Sequence, residues 1–189
     1  EGATVIVNDL ALSAKLLRVA NSAFFGFSRR VSTIADAVRV LGFTNVQGMI
    51  ISVAAFDVFR TERLSLVDFW KHSIATATAA RFLAPRLPCL PDEAFMAGLL
   101  HDIGKVGVSN RILDKNGPLA ADERAAVQSH PLYTWEILGR VGAFASFARQ
   151  ASTHHEKLDG SGYPWKLRGD ELDAPARAMV VADIYEALT

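Results

Sequence analysis

Apolar residues recur at three- and four-residue intervals along most of the chain, a spacing that predicts helices rather than strands. Leu10, Leu12, Leu16, Leu17 and Ala20 form the first stripe. Asn8 is placed to cap it, and Asn21-Ser22 with Gly26 to break it. Asn21 reads as a helix-ending residue or as a ligand contact. Ile34, Ala37, Val38 and Leu41 form a second stripe between a Ser32 cap and a Gly42 stop. Thr44 opens a third, which carries Val46, Met49, Ile50, Val53, Ala54 and continues to Phe59. An alanine-rich fourth helix is predicted over Asp68–Leu83, and Pro85, Pro88 and Pro91 punctuate the loop after it. Asp92-Glu93 open a fifth helix, where acids suit the positive helix end. A turn follows at Asn116-Gly117-Pro118. Helices are then expected from Asp122 to His130, where Pro131 interrupts, and over Leu132–Val141, Phe144–His155 and Pro175–Leu188. No segment sustains period-two alternation and no repeat is visible, so the expected fold class is all-α.

Chemistry enters at the end of the fifth helix. The apolar run Ala94–Leu100 closes on His101-Asp102-Ile103-Gly104-Lys105. An imidazole and a carboxylate are expensive to bury unpaired. A metal offsets that cost, since neutral imidazole and carboxylate suit Mn, Fe or Zn. Neighbours on a helix diverge by about a quarter turn, so the pair can straddle two ions. Gly104 then lets the chain leave the helix, and Lys105 sets a positive charge beside the site. Taken alone, the pair reads as a satisfied core histidine with a capping Asp102. The remaining histidines reverse that reading. His72, His101, His130, His154 and His155 fall on four predicted helices, four of them at or near a helix end. Asp183 is a further acid inside an apolar helix. Two shared cations would account for all seven residues, with Asp102 the group best able to bridge.

Composition narrows the function classes. The chain has 189 residues, half of them hydrophobic, and its 20 cations balance 20 acids. That balance provides no footprint for a nucleic acid polymer and no basic face for a membrane surface. No apolar run approaches the ~20 residues of a membrane span. Cys89 is the single cysteine, which rules out an internal disulfide and fits a cytoplasmic protein with Cys89 as core filler. The chain is expected to be an excerpt of a longer protein, stopping in mid-helix at Leu188-Thr189. Ligation by imidazole and carboxylate without thiolate suits iron or manganese, and also admits zinc or nickel.

Two family resemblances are visible. His101-Asp102 with a distal His and a distal Asp resembles the HD superfamily of metal-dependent phosphohydrolases. The run His154-His155-Glu156-Lys157-Leu158-Asp159-Gly160-Ser161-Gly162-Tyr163-Pro164 resembles the signature of its HD-GYP branch. That likeness covers about residues 66–189. It implies a helical HD-domain bundle, two divalent transition metal ions with a third in some members, and hydrolysis of cyclic di-GMP or a related cyclic dinucleotide to linear pGpG or GMP in bacterial signalling. It also implies His72, His101, Asp102, His130, His154, His155 and Asp183 as ligands, with Asp102 and Lys105 as catalytic residues and Lys105 on the substrate phosphate. Asp68, one turn before His72, is the candidate third-ion ligand. Glu186 stands where the branch has Asp. Gly160 and Gly162 would let backbone approach the substrate, and Tyr163-Pro164 would either meet a base or brace the loop.

Residues 1–100 resemble instead the HDOD domain, a helical signalling relative. The likeness lies in Leu10–Gly26, in Ile34-Ala35-Asp36-Ala37-Val38 through Leu41-Gly42, and in Phe69-Trp70-Lys71-His72. The expected organisation is an HDOD-like subdomain over residues 1–64 and an HD-GYP-type domain over 65–189. Alongside the phosphodiesterase stands a second reading. In it the chain is a non-catalytic regulatory module with a structural or sensory metal site, whose N-terminal half binds a signalling partner.

Overall fold

The structure is a computed structural model that describes residues 10–21, 29–58 and 66–188. Asn8, Ser22, Gly26 and Phe59 lie outside the described residues. The chain forms two compact units, Glu1–Val58 and Phe59–Thr189. Among the described residues there is no strand, only an isolated bridge between Asp159 and Arg168, and the fold class is all-α as expected.

The first unit contains α1 (Leu10–Ala20), α2 (Ile34–Leu41) and α3 (Phe43–Val58), each packed on the other two. Leu16, Ala20, Ile34, Ala37, Val46, Met49 and Val53 are buried. Asn21 ends α1 with its side chain. Its Nδ2 donates to the Leu17 and Val31 carbonyls, both at 2.7 Å, and its Oδ1 accepts from Val31 N–H. The ligand-contact reading of Asn21 falls, because its amide is spent on backbone. Two expected caps move. Thr33, not Ser32, caps α2, since its hydroxyl accepts from Asp36 N–H at 3.0 Å. Thr44 caps nothing, because α3 starts at Phe43 directly after the Gly42 stop. Gly42 has φ +84 and donates to Val38 C=O, as a glycine C-cap requires.

The second unit is built on α4 (Leu66–Leu83) and α5 (Pro91–Leu100). Ala77, Ala80, Ala94 and Ala97 are buried, and a Cβ on Gly98 would sit 2.4 Å from Ala77 Cα. The alanines and the glycine therefore let two helix backbones touch. A 3-10 turn (Ile103–Gly107) leads to α6 (Asn110–Leu113), a short helix inside the stretch read as loop. Then come α7 (Ala121–Gln128), α8 (His130–Gly139), α9 (Ala148–Ser152) and α10 (Ala174–Ala187). Pro131 does not interrupt a helix but starts one, within the first turn of α8, where its missing N–H costs nothing. The long helix expected to reach His155 is cut to α9. The Ser152 and Thr153 hydroxyls bond back to the Ala148 and Arg149 carbonyls, which ends the ladder before the histidines. Asp173 caps α10 through Ala176 N–H.

Candidate metal centre

Three of the five histidines sit where helices end. His101 is the C-cap of α5, His130 follows α7, and His154 follows α9. The last carbonyls of a helix have no partner within it. Each of these rings uses one: Nδ1 of His101 donates to Gly98 C=O at 2.7 Å, His130 to Val127 C=O at 2.7 Å, and His154 to Ala151 C=O at 2.6 Å. A carbonyl only accepts, so each ring carries its proton on Nδ1 and turns the Nε2 lone pair inward. His72 does the same from inside α4, with Nδ1 donating to the Glu186 carboxylate. Glu186 thus orients a ligand-type histidine, a role the residue pattern did not suggest.

The Nε2 atoms converge on two buried carboxylates. Asp102 Oδ1 lies 3.1 Å from His130 Nε2 and 3.8 Å from His154 Nε2, while Oδ2 lies 3.5 Å from His101 Nε2 and 3.8 Å from His72 Nε2. Asp183 is divided in the same way. Its Oδ1 stands 3.3 Å from His72 Nε2 and 3.5 Å from His101 Nε2, and its Oδ2 stands 3.9 Å from His155 Nδ1. Three groups could each hold a metal: His130, His154 and His155; His72, His101 and Asp183; and His101, Asp102 and His154.

This donor set fits cations. His130 and His154 bring their Nε2 atoms to 3.1 Å with both Nδ1 positions already donating to backbone. Asp102 Oδ1, between them, accepts no hydrogen bond, although Asp102 is 2% exposed. Lone pairs facing one another in a dry space repel unless a positive charge lies among them.

Without metal the rings divide: buried His154 and His155 stay neutral, while His72 holds a second proton that a bound cation would displace. Burial keeps His154 well below the ordinary imidazole range, with His101 and His155 adding to the effect. Burial likewise lowers His155 to about 4, helped by His130. Burial would lower His72 too, but its bonds to Asp183 and Glu186 raise it to about 9. Burial opposes ionisation of Asp102 and Asp183, yet Lys105 and His101 hold the first well below the carboxylate range, and His101 and His72 hold down the second. These shifts give a prediction for protein stripped of metal by chelation. His155 favours folding above its unfolded value of 6.5 and loses that contribution as pH falls toward 4. His72 favours folding below 6.5 and loses it as pH rises toward 9. Melting temperature across this range should peak near the shared unfolded value, and metal should abolish the alkaline decline.

Not every expected residue enters the cluster. Asp68 is exposed and faces Lys71 at 3.5 Å, so the candidate third-ion ligand lies outside these groups. Lys105 Nζ donates to Asp102 Oδ2 at 2.5 Å and lies 5.6 Å from the Phe69 ring centroid. Gly162 is buried, and a Cβ there would meet Glu156 Cα at 2.5 Å, so the position has no room for a side chain. Gly160 takes φ +78 beside the Arg168 side chain. Tyr163 lays its ring against His155 at 4.8 Å, and burial with nearby Asp102 and Asp183 raises its phenol to about 12. Pro164 is half-buried beside it.

Gly104 is needed for closeness, not for leaving the helix. A Cβ there would fall 1.9 Å from His130 C=O, and its N–H donates to Thr134 Oγ1, whose hydroxyl donates to His101 C=O. This locks the His101-Asp102 turn to the start of α8. Gly104→Ala should destabilise the fold by about 3 kcal/mol or more. Thermal unfolding measures it, and an unchanged melting temperature would refute the contact.

The sequence pattern of the HDOD domain matches residues 1–136. The chain belongs to the HDOD family. The match runs beyond the N-terminal unit and takes in His72, His101, Asp102 and His130. An HDOD protein of unknown function from Geobacter sulfurreducens shares the fold, with a TM-score of 0.64 at 24% identity, over 99% of this chain and 65% of that one. The 3'3'-cGAMP-specific phosphodiesterase 3 of Vibrio cholerae is 54% identical over 93 residues, 49% of this HDOD chain and 20% of that protein. A cyclic di-GMP phosphodiesterase of Pseudomonas aeruginosa is 38% identical over 125 residues, 64% of this chain and 30% of its own length. This HDOD chain thus spans a third or less of these curated relatives, and their names support the resemblance to HD-GYP-type phosphodiesterases. No helix among the described residues is long and apolar enough to cross a membrane.

Proposed function

We propose that this chain carries the metal centre of a cyclic dinucleotide phosphodiesterase, with cyclic di-GMP or 3',3'-cGAMP as substrate. The observation that carries the reading is the inward aim of the imidazole nitrogens, Nε2 of four rings and Nδ1 of His155, on two carboxylates whose oxygens are turned to different histidines. The names of the similar phosphodiesterases support the substrate class. His72, His101 and Asp183 would hold one divalent ion and His130, His154 and His155 the other, with Asp102 spanning both. Bound ions, iron or manganese by ligand type, would supply an acidified water and offset the charge on the phosphoryl oxygens.

The chain's own residues do the rest. The backbone carbonyls and Glu186 orient the rings of His72, His101, His130 and His154, so their donor atoms need little reorganisation. Lys105 keeps an ammonium at the edge of the cluster, where it can turn from Asp102 to a phosphate oxygen. Tyr163 shields His155 from solvent on one side. The test is elemental analysis of protein purified without added metal, followed by turnover of several cyclic dinucleotides. More than one equivalent of iron or manganese, with cleavage to pGpG or GMP, is the expected result. A metal-loaded protein that cleaves none of them overturns the enzyme and favours the regulatory HDOD module.

A further inference from the structure

The turn after His154-His155 carries aromatic surface that its own packing does not consume. Trp165 meets Trp135 of α8 edge to face, with centroids 6.2 Å apart and planes at 79°. In such a pair the edge-on ring has neither face covered by its partner. The two residues remain 39% and 42% exposed, and Leu132, one turn earlier on α8, is 37% exposed. The two rings therefore wall an open apolar corner with two indole faces set nearly at right angles.

Its place beside the metal centre gives the corner a use. Tyr163 stacks on His155, and Trp165 follows two residues later in the same turn. Trp165 N–H donates to Glu156 Oε1 at 2.7 Å, so the backbone bearing the indole is fixed to the residue next to His155. The same turn exposes Lys157 and Lys166, whose charge is opposite to that of a phosphodiester. In a nucleotide the base stands one sugar away from the phosphorus. A flat, polarisable ring held at that remove from the site matches an indole face.

We propose that Trp135 and Trp165 form a stacking platform for one nucleobase of a cyclic dinucleotide whose phosphodiester lies at the metal centre. The inference rests on the phosphodiesterase reading for its ligand. The experiment therefore separates binding from cleavage. Metal-loaded wild type, Trp165→Ala, Trp135→Ala and Trp165→Phe are titrated calorimetrically with the bis-phosphorothioate analogue of cyclic di-GMP, and turnover of cyclic di-GMP itself is assayed in parallel. Loss of one stacking partner should weaken binding about ten- to a hundred-fold at unchanged metal content, and Trp165→Phe should recover most of it. Binding within two-fold of wild type in both alanine variants overturns the platform. Wild-type binding without cleavage, with the alanine variants weakened, removes the hydrolase and leaves the platform standing. A wild type that does not bind the analogue sinks both.

Discussion

Asp102→Ala should strip the protein of nearly all its transition metal and reduce turnover of a cyclic dinucleotide at least about a thousand-fold, the scale on which a lost metal site acts. The expectation follows from geometry rather than from charge alone. Oδ1 of Asp102 serves the His130 and His154 side, and Oδ2 serves the His101 and His72 side. One truncation therefore touches both groups. His155→Ala touches one, and should lose about half of the bound metal rather than all of it. Comparing the two variants by elemental analysis distinguishes a shared carboxylate from a merely neighbouring one. Asp102→Asn refines the test, because it keeps the shape and removes the charge. It should resemble alanine in turnover while folding better, since an uncharged amide beside Lys105 still accepts a hydrogen bond. Full metal content in Asp102→Ala would show that the two sides do not depend on it.

Much of the centre was legible because its residues are costly where they stand. His101, His130 and His154 occur beside apolar helical stretches, and burial of imidazoles without partners is penalised. What the sequence pattern could not reveal is how they are held. The Nδ1 anchors are carbonyls of Gly98, Val127 and Ala151, and backbone groups leave no trace in residue identity. Yet the anchors follow from helix ends: a histidine just past a last turn meets carbonyls that the helix leaves unpaired. The anchor of His154 is the hidden one, because a helix continued to His155 would spend the Ala151 carbonyl internally, whereas the helix ends at Ser152. Three helix C-termini near one cluster also bring their partial negative charge to it, a further contribution to cation affinity. Glu186 and Asp68 illustrate the opposite failure. Both stand within a turn or so of a ligand-type residue in sequence, at positions 183 and 72, and only the packing of α10 against α4 decides that Glu186 reaches His72 while Asp68 faces Lys71. The sequence places Gly104 at a helix exit and Gly162 beside a substrate, and it does not reveal that at each another backbone fills the space a side chain would take.

Glu156→Ala should cost about 3–5 kcal/mol and lower the melting temperature by about 6–20 °C, from the worth of charge-assisted hydrogen bonds and the response of a chain this size. Glu156 is fully buried, and the residue pattern assigned it no role. Its Oε1 accepts from Trp165 N–H at 2.7 Å and Lys166 N–H at 3.2 Å, and its Oε2 from Leu167 N–H at 2.9 Å. Three donors in succession close the turn that carries Tyr163 over His155. They also hold Lys166 at φ +57, which is unfavourable for a side-chain-bearing residue. Alanine leaves those donors without an acceptor and releases the turn. Glutamine is not a mild replacement, because its amide nitrogen would confront a donor whichever way it points. It should therefore lie between wild type and alanine in stability. The histidine anchors on α5, α7 and α9 are untouched by either change, so metal should be largely retained while the KM for a cyclic dinucleotide rises. Calorimetric unfolding with elemental analysis reads both quantities. An alanine variant that melts with wild type would remove the carboxylate as the clasp of the turn, and one that also loses its metal would make Glu156 part of the metal-binding architecture itself.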